Sequence, residues 1–141
     1  MYYGILGDAP ALMETRSLTF TLLPGEYAFC RLDPAAPIPA WATDGPFFSV
    51  TRTADELSIF CREAGVPADV QASRGWRCLK VEGPFDFCAV GVIASFAGPL
   101  AEAGLSISVV STYDTDYLFM QKPALDQALS WLRSLGHAVL A

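Results

Sequence analysis

The chain has 141 residues, of which 52% are hydrophobic and 17% charged, and its formal net charge is −6. This length predicts one compact domain, or two small repeats that share a core. The acidic balance argues against nucleic acid as a partner, because nucleic-acid binding needs clustered Lys and Arg, and the nine basic residues are scattered singly. The sequence contains neither a run as long as a membrane span nor a signal-peptide pattern. We therefore expect a cytoplasmic protein without a membrane partner.

The four cysteines and the single histidine do not form a metal-binding or nucleophilic pattern. No Cys-x-x-Cys spacing occurs, and zinc sites usually need such close ligands. Each cysteine lies in an apolar run, which predicts buried, reduced thiols. With His137 alone and no nucleophile elbow, a Ser-His-Asp or Cys-His enzyme is hard to build. We therefore predict a protein that has no metal, no cofactor and no catalytic residues.

The first half of the chain is predicted to be mainly β-structure. Residues 1–14 lack periodicity and predict a flexible N-terminal arm. Four prolines within residues 33–46 exclude a long helix, leaving room for one helical turn that plugs the sheet. Residues 63–74 are polar and predict a linker. Runs of aromatic and β-branched side chains predict strands at residues 17–23, 27–32, 47–53 and 57–62.

The second half alternates strands and helices. Small apolar residues at helical spacing predict a helix over residues 88–103, capped by Gly104. A second helix is predicted from Pro123 to just before Gly136. Strands are predicted at residues 76–82, 105–110, 117–120 and 138–140. The resulting order β-α-β-β-α-β is that of the ferredoxin-like, split βαβ unit.

Residues 111–116 form a polar elbow between two predicted strands. A turn needs about two or three short polar side chains to satisfy its own backbone, and this elbow has more, including two aspartates. One interpretation is a well-capped β-turn with solvated acids. The other is that Asp116, at the start of the second strand, is directed at a cationic group of a ligand.

The acid-bearing corners of the chain repeat at a constant offset. Asp116 follows Glu56 by the same number of positions as Asp86 follows Glu26. We interpret the chain as two copies of one supersecondary unit, of which the first is shortened. The predicted division is an abbreviated unit at residues 15–74 and a complete unit at residues 75–141.

The complete unit resembles the ACT domain, and more narrowly the tandem, aspartate-kinase-like ACT proteins related to the CASTOR arginine sensors. The resemblance covers about residues 18–139 and is carried by the segments LTFTLLPGEYAFCRLD, GPFDFCAVGVIASFAGPLAEAG and LSISVVSTYDTDYLF. It implies an α+β fold in which a ferredoxin-like βαββαβ ACT unit follows an abbreviated ACT-like repeat, with antiparallel sheets. ACT domains in general sense small molecules, most often amino acids, and commonly pair side by side.

The resemblance also implies a ligand site between the first strand-helix loop of one unit and the elbow of a neighbouring unit. Backbone N–H groups at a helix start near Val90 and Gly91 would suit an α-carboxylate. Asp86 and Asp116 would hold an ammonium group or a side-chain cation. The full set implied is Gly83, Phe85, Asp86, Ala89, Val90, Gly91, Ser111, Thr112, Tyr113 and Asp116.

Three functional interpretations remain. The first is a non-catalytic regulatory or sensor module that binds an amino acid or similar small molecule; the low surface charge also favours a homodimer. The second is an ACT-like scaffold with a vestigial pocket that associates with an unidentified protein partner. The third is an enzyme with Asp86 and Asp116 as an acid–base pair. In the first elbow, Arg52 either favours an anion or closes the pocket.

Overall fold

The computed structural model describes residues 17–85 and 91–141, so the predicted arm at residues 1–14 lies outside the described residues. Two α-helices are present, α1 (Ala94–Glu102) and α2 (Leu125–Ser134). Three short 3₁₀ turns cover Ala40–Thr43, Glu63–Gly65 and Lys122–Ala124. The strands are β1 (Thr19–Leu22), β2 (Tyr27–Leu32), β3 (Ser49–Arg52), β4 (Leu57–Arg62), β5 (Ala72–Val81), β6 (Ser108–Ser111), β7 (Asp116–Gln121) and β8 (Ala138–Leu140).

All of these strands belong to one sheet, and β5 is its shared central strand. In the first half of the molecule the strand order is β3-β4-β2-β5. In the second half the order is β8-β1-β5-β7-β6. The first residues of β5 pair with β2, and its last residues pair with β1. As a result, β1 and β2 lie one after the other along the same edge of β5.

The second half has the predicted element order β5-α1-β6-β7-α2-β8, which confirms the α+β, ferredoxin-like fold class. One strand was not expected there: β1 lies between β5 and β8. Phe20 of β1 pairs with Val81 on one side and with Val139 on the other. The β1–β8 pair is parallel, so the sheet is not antiparallel throughout. Because Leu18 and Phe20 are buried in the helix-covered core, β1 supplies apolar side chains to that core.

The predicted linker at residues 63–74 is wrong, because its last three residues belong to β5. Cys30 pairs with Ala72, so main-chain hydrogen bonding holds this polar stretch in the sheet. Gly75 has a φ of +78°, and the register between β2 and β5 shifts beside it, as expected for a β-bulge. The predicted division at residues 74 and 75 falls within this strand and stays a prediction.

The two faces of the sheet are covered differently. α1 and α2 cover one face of the second half, where they enclose the largest apolar cluster. Among the described residues, the same face of the first half is covered by short loops and the 3₁₀ turn Ala40–Thr43, which lies where one helical turn was predicted to plug the sheet. The opposite face carries an aromatic cluster that draws on both halves: Tyr27, Phe47, Phe60, Cys78 and Phe119.

Both helices form, although α1 begins later than the sequence indicates. α1 starts at Ala94 instead of residue 88, and Gly91 before it has a φ of +83°. At the other end Gly104, with a φ of +79°, follows the helix as predicted. A 3₁₀ turn containing Pro123 precedes α2. Among the described residues, neither helix has the length and apolar character needed to cross a membrane.

Three cysteines are buried and free, which confirms the prediction for Cys30, Cys61 and Cys78. Cys88 lies outside the described residues. His137 is also buried: its Nδ1 accepts a hydrogen bond from the Leu18 N–H at 3.0 Å. The histidine therefore joins the start of β1 to the segment that leads into β8.

Candidate functional site

The polar elbow closes the β6–β7 hairpin and is built around Thr112. Ser111 pairs with Asp116 at the end of the ladder. The Thr112 N–H donates to the Thr115 carbonyl oxygen at 2.8 Å, and the Thr112 hydroxyl donates to the same oxygen at 3.0 Å. The hydroxyl also accepts from the Thr115 N–H at 3.2 Å. Thr112 therefore holds the turn, as hydroxyl residues do in short corners.

Asp116 is the buried acid of the elbow. It is the first residue of β7, and only 9% of it is exposed. The Ser111 hydroxyl donates to Asp116 Oδ1 at 2.5 Å. No ion pair reaches Asp116 from the described residues, and the sequence of residues 86–90 contains no basic residue. A buried carboxylate is costly unless a cation or hydrogen bonds offset the loss of water, and among the described residues the Ser111 hydroxyl is the side-chain donor that reaches it.

The segment after β5 packs directly on this elbow. The Thr115 hydroxyl donates to the Val81 carbonyl oxygen, and the Phe85 N–H donates to the Asp114 carbonyl oxygen at 2.8 Å. A Cβ atom on Gly83 would lie 3.0 Å from the Asp114 carbonyl oxygen. The Gly83–Pro84 peptide bond is cis. The absence of a Cβ atom at residue 83 therefore helps the loop and the elbow to approach this closely.

The structure brings some of the residues implied by the resemblance together. Gly83 and Phe85 lie against the elbow, and Ser111 is hydrogen-bonded to Asp116. Tyr113 is at the tip of the elbow and is 82% exposed. Asp86, Ala89 and Val90 lie outside the described residues.

The expected carboxylate site near Val90 and Gly91 stays a prediction. Because α1 begins at Ala94, Gly91 lies in the turn that leads into the helix. The Gly91 carbonyl oxygen accepts a hydrogen bond from the Ser95 N–H at 3.0 Å. Its positive φ explains the difference, since a left-handed residue interrupts a helix that the apolar spacing alone would continue.

The first half contains a structurally equivalent elbow, but the acids of the two elbows do not correspond. Arg52 pairs with Leu57 just as Ser111 pairs with Asp116. The Thr53 N–H donates to the Glu56 carbonyl oxygen at 2.9 Å, which repeats the bond between Thr112 and Thr115. Asp116 therefore corresponds to Leu57, and Glu56 has a different position. Matching the acids shifted the register by a single position, which exchanges the two faces of a strand.

Arg52 closes the first elbow. Its guanidinium donates to the Pro34 carbonyl oxygen and, at 2.7 Å, to the Ala36 carbonyl oxygen. These bonds tie the loop after β2 to the hairpin, as Phe85 ties the loop after β5 to its own elbow. Of the two alternatives for Arg52, the closed pocket is the one that this geometry favours.

Sequence reasoning missed two contributors to the second elbow. One is the Asp114 carbonyl oxygen, a backbone acceptor that no residue pattern reveals. The other is Thr115, whose buried hydroxyl anchors the elbow to β5. The sequence did contain one signal for the close approach at Gly83: a Gly-Pro pair that directly follows a predicted strand.

A second concave surface lies in the first half, on the sheet face that carries the aromatic cluster. It is a groove of about 370 Å³ whose lining includes Phe29, Arg31, Glu56 and Ser58. The Arg31 guanidinium is oriented by a 3.0 Å hydrogen bond to the Asp55 carbonyl oxygen. None of the described residues implied by the resemblance lines this groove, so it is separate from the elbow at residues 111–116.

Two family models match different parts of the chain. Residues 71–134 match the family model of the ACT domain. Residues 25–69 match a model that describes the N-terminal domain of a protein family. No curated protein sequence matches the chain.

Solved structures of similar fold include two bacterial proteins that match over nearly their whole length. Protein Atu0741 from Agrobacterium tumefaciens is 41% identical, with a TM-score of 0.84, over 89% of this chain and 93% of that one. Protein VC0802 from Vibrio cholerae, described as of unknown function and a possible transport protein, is 25% identical. Its TM-score is 0.72, over 92% of this chain and 98% of that one.

A more distant likeness is to Escherichia coli aspartokinase III, solved in complex with aspartate and ADP. The identity is 12% and the TM-score 0.58, over 85% of this chain and 33% of the kinase. This likeness shows a common fold only.

Proposed function

Since the chain belongs to the same family as the Atu0741 protein and carries an ACT domain in its second half, we propose that it is a non-catalytic regulatory or sensor module. Its ligand is an amino acid or a similar small molecule with a positively charged amino group. The module works in the cytoplasm as a homodimer and reports ligand binding to a protein partner.

The observation that carries this proposal is the environment of Asp116. The residue is nine-tenths buried and its carboxylate receives a hydrogen bond from Ser111, yet none of the described residues supplies a cation. An ammonium group at this point would form charge-assisted hydrogen bonds with the carboxylate. In a water-poor surrounding such bonds are stronger than at the surface. Asp86, which follows Gly83 closely in the sequence, supplies the second carboxylate of the proposed site.

The arrangement of the loop and the elbow supports the proposed homodimer. Within one chain, Gly83 and Phe85 of the loop already contact Asp114 of the elbow, so little space is left between the loop and the elbow. A neighbouring copy that faces the elbow would supply the remaining wall and shield the ligand from water. The high hydrophobic fraction of the chain is consistent with such a covered surface.

Thermal-shift screening of the twenty amino acids tests the proposal. A ligand that binds only the folded protein, at 100 times its dissociation constant, stabilises it by about 2.7 kcal/mol, which is easily detected. We expect one or a few amino acids to raise the melting temperature of the wild type and of Asp114→Asn. Asp116→Asn should lose the shift. Asp114→Asn is the matched control because its exposed side chain lies in the same elbow.

A different specific observation favours a second candidate, an ACT-like scaffold for protein–protein association. The 2.8 Å hydrogen bond from Phe85 to Asp114 closes the loop onto the elbow of its own chain. In a scaffold, this contact would serve stability alone. A stable dimer in solution, combined with no shift for any amino acid, would favour the scaffold over the sensor.

A further inference from the structure

Two buried thiols lie diagonally across β2 and β4 in the first half of the molecule. Cys61 pairs with Ala28, and Cys30 pairs with Ile59, so the two cysteines point to the same face in diagonal positions. Both belong to the apolar cluster on that face, where Cys30 is 1% exposed and Cys61 is fully buried. This placement is independent of the elbow and of its proposed ligand.

The two thiols interact, and they are not equivalent. A hydrogen bond from the Cys61 thiol lowers the pKa of Cys30, and the same bond raises the pKa of Cys61. The first thiol of the pair to ionise is therefore Cys30, and the thiolate is the nucleophilic form of cysteine. Cys78 differs, because burial in the aromatic cluster raises the pKa of its thiol.

Among the described residues, a short segment without an α-helix covers the two thiols. In the second half, two helices cover the sheet, whereas here the cover is a loop with one 3₁₀ turn, Ala40–Thr43, that has no side-chain cap. Arg52 holds this loop down through the Pro34 and Ala36 carbonyl oxygens. Segments with few contacts open locally without unfolding of the whole chain. Local opening of residues 33–43 would therefore expose the thiol pair.

We propose that Cys30 and Cys61 form a reversible disulfide when the protein meets a peroxide. The Cys30 thiolate attacks one peroxide oxygen, the O–O bond breaks, and the released alkoxide or hydroxide takes a proton. Cys61 then attacks the sulfur of the resulting sulfenic acid, and its proton leaves with the hydroxyl group as water. In total, two thiols are oxidised, the peroxide is reduced, and a dithiol reductant reverses the change.

The diagonal arrangement accounts for the reversibility. Diagonal neighbours on antiparallel strands are separated by about 7–8 Å between Cα atoms, which is beyond the usual range of about 4.4–6.8 Å for a disulfide. The strands must shift slightly to form the bond, and strained disulfides are more easily reduced. The pair therefore has the geometry of a labile cross-link and not of a permanent one.

Tryptic mapping of the wild-type protein after treatment with hydrogen peroxide tests the proposal directly. Each cysteine occupies its own tryptic peptide: Cys30 in 17–31, Cys61 in 53–62, Cys78 in 78–80 and Cys88 in 81–133. We expect peptides 17–31 and 53–62 to be joined and to separate on addition of dithiothreitol. Any other pairing, or two peptides that remain unjoined, overturns the proposal.

Single substitutions test the order of the two steps. With Cys61→Ser, Cys30 should stop at the sulfenic acid and be trapped by dimedone. With Cys30→Ser, Cys61 should be labelled less than Cys30 is in Cys61→Ser, because burial still raises the pKa of Cys61, whereas the charge of Arg74 lowers the pKa of Cys30. Equal labelling of the two variants would contradict Cys30 as the attacking thiol.

The cover is tested with Arg52→Gln. Loss of its hydrogen bonds should make the 33–43 loop open more often, so the disulfide should form about tenfold faster. Arg31→Gln is the matched control, since its guanidinium bonds to Asp55 elsewhere in the same half. Each variant merges two tryptic peptides, but each merged peptide still carries one cysteine. Equal rates in the two variants would show that this loop does not limit access.

Discussion

Glu63 and Lys122 occupy equivalent positions in the two halves of the molecule, and both contact Glu26. Each begins a 3₁₀ turn that directly follows the second strand of its hairpin. Lys122 Nζ lies 2.8 Å from Glu26 Oε1, and the Glu63 N–H donates to the Glu26 carbonyl oxygen at 2.9 Å. The corner between β1 and β2 is therefore the point where the two halves are tied together.

The Lys122–Glu26 pair should make stability depend on pH in the acid range. The hydrogen bond from Lys122, together with its charge, holds the pKa of Glu26 below the ordinary value of 4.5. A carboxyl with a lowered folded-state pKa adds stability above its unfolded pKa and loses it as the pH falls through its folded pKa. We expect Lys122→Gln to lower the melting temperature slightly at pH 7. The difference from wild type should vanish as the pH falls below 4.5 through the folded pKa.

The control for this prediction is Arg133→Gln, which removes one exposed positive charge from α2. Its difference from wild type should not follow the titration of Glu26. Raising the salt concentration should also shrink the effect of Lys122→Gln, because exposed ion pairs are screened. An effect that persists unchanged at pH 2 would rule out the ion pair as its cause.

Two glycines should respond oppositely to alanine. At Gly83 a Cβ would meet the Asp114 carbonyl oxygen at 3.0 Å, and backbone must move to make room. Gly83→Ala should therefore destabilise the protein by about 1–3 kcal/mol in urea unfolding. At Gly98, in the interior of α1, no atom apart from its chain neighbours lies within 4 Å of an added Cβ, so Gly98→Ala should be stabilising, by less than the usual gain of about 0.5–1 kcal/mol because the ring of Pro99 crowds that Cβ. A neutral Gly83→Ala would show that the loop and the elbow are not in close contact.

His137 combines a ring contact with a hydrogen bond, and two variants separate them. His137→Phe keeps a ring against Phe20 but removes the acceptor for the Leu18 N–H, at an expected cost of about 1–3 kcal/mol. His137→Asn keeps an acceptor oxygen at the position of Nδ1 and loses the ring. Hydrogen exchange at the Leu18 amide should be fast in the phenylalanine variant and slower in the asparagine variant. The reverse order would show that the ring, and not Nδ1, protects this amide.

The aromatic face offers two stacked pairs with the same ring separation. The ring centroid of Phe60 lies 4.1 Å from that of Phe119 and 4.1 Å from that of Phe29. Phe119 is fully buried, whereas Phe29 is 36% exposed. Double-mutant cycles with leucine should give a coupling of about 0.5–1.5 kcal/mol for Phe60 with Phe119 and a smaller value for Phe60 with Phe29. Equal couplings would mean that burial adds nothing to the stacking.

The sequence predicted the strands that have strong local signals. β2, β4 and β8 begin and end at the predicted residues, because aromatic and β-branched runs are bounded there by turn or loop residues. Residues 72–74 did not show such a signal, since their place in β5 depends on pairing with β2. The position of β1 between β5 and β8 was not predictable either, because a local sequence pattern does not specify which strands lie next to it.

The candidate site shows the same limit. The change from polar to apolar residues predicted a strand over residues 117–120, and in the structure β7 begins one residue earlier, at Asp116. The burial of that carboxylate depends on tertiary packing and was not predictable. The sequence comparison aligned Asp116 with Glu56 because both are acids. The strand pairing within each hairpin instead makes Asp116 equivalent to Leu57. The assignment of a ligand to this elbow stays a prediction.

The position of β1 has a consequence for biosynthesis. Leu18 bonds to His137, 119 residues further along the chain, so a strand made early in synthesis pairs with one made late. The sheet of the second half cannot close around β1 until β8 has emerged from the ribosome. Such long-range pairing slows folding, because a large loop must close before its contacts form. Until then the apolar side chains of β1 need protection from aggregation, and we expect the nascent chain to depend on chaperones at this stage.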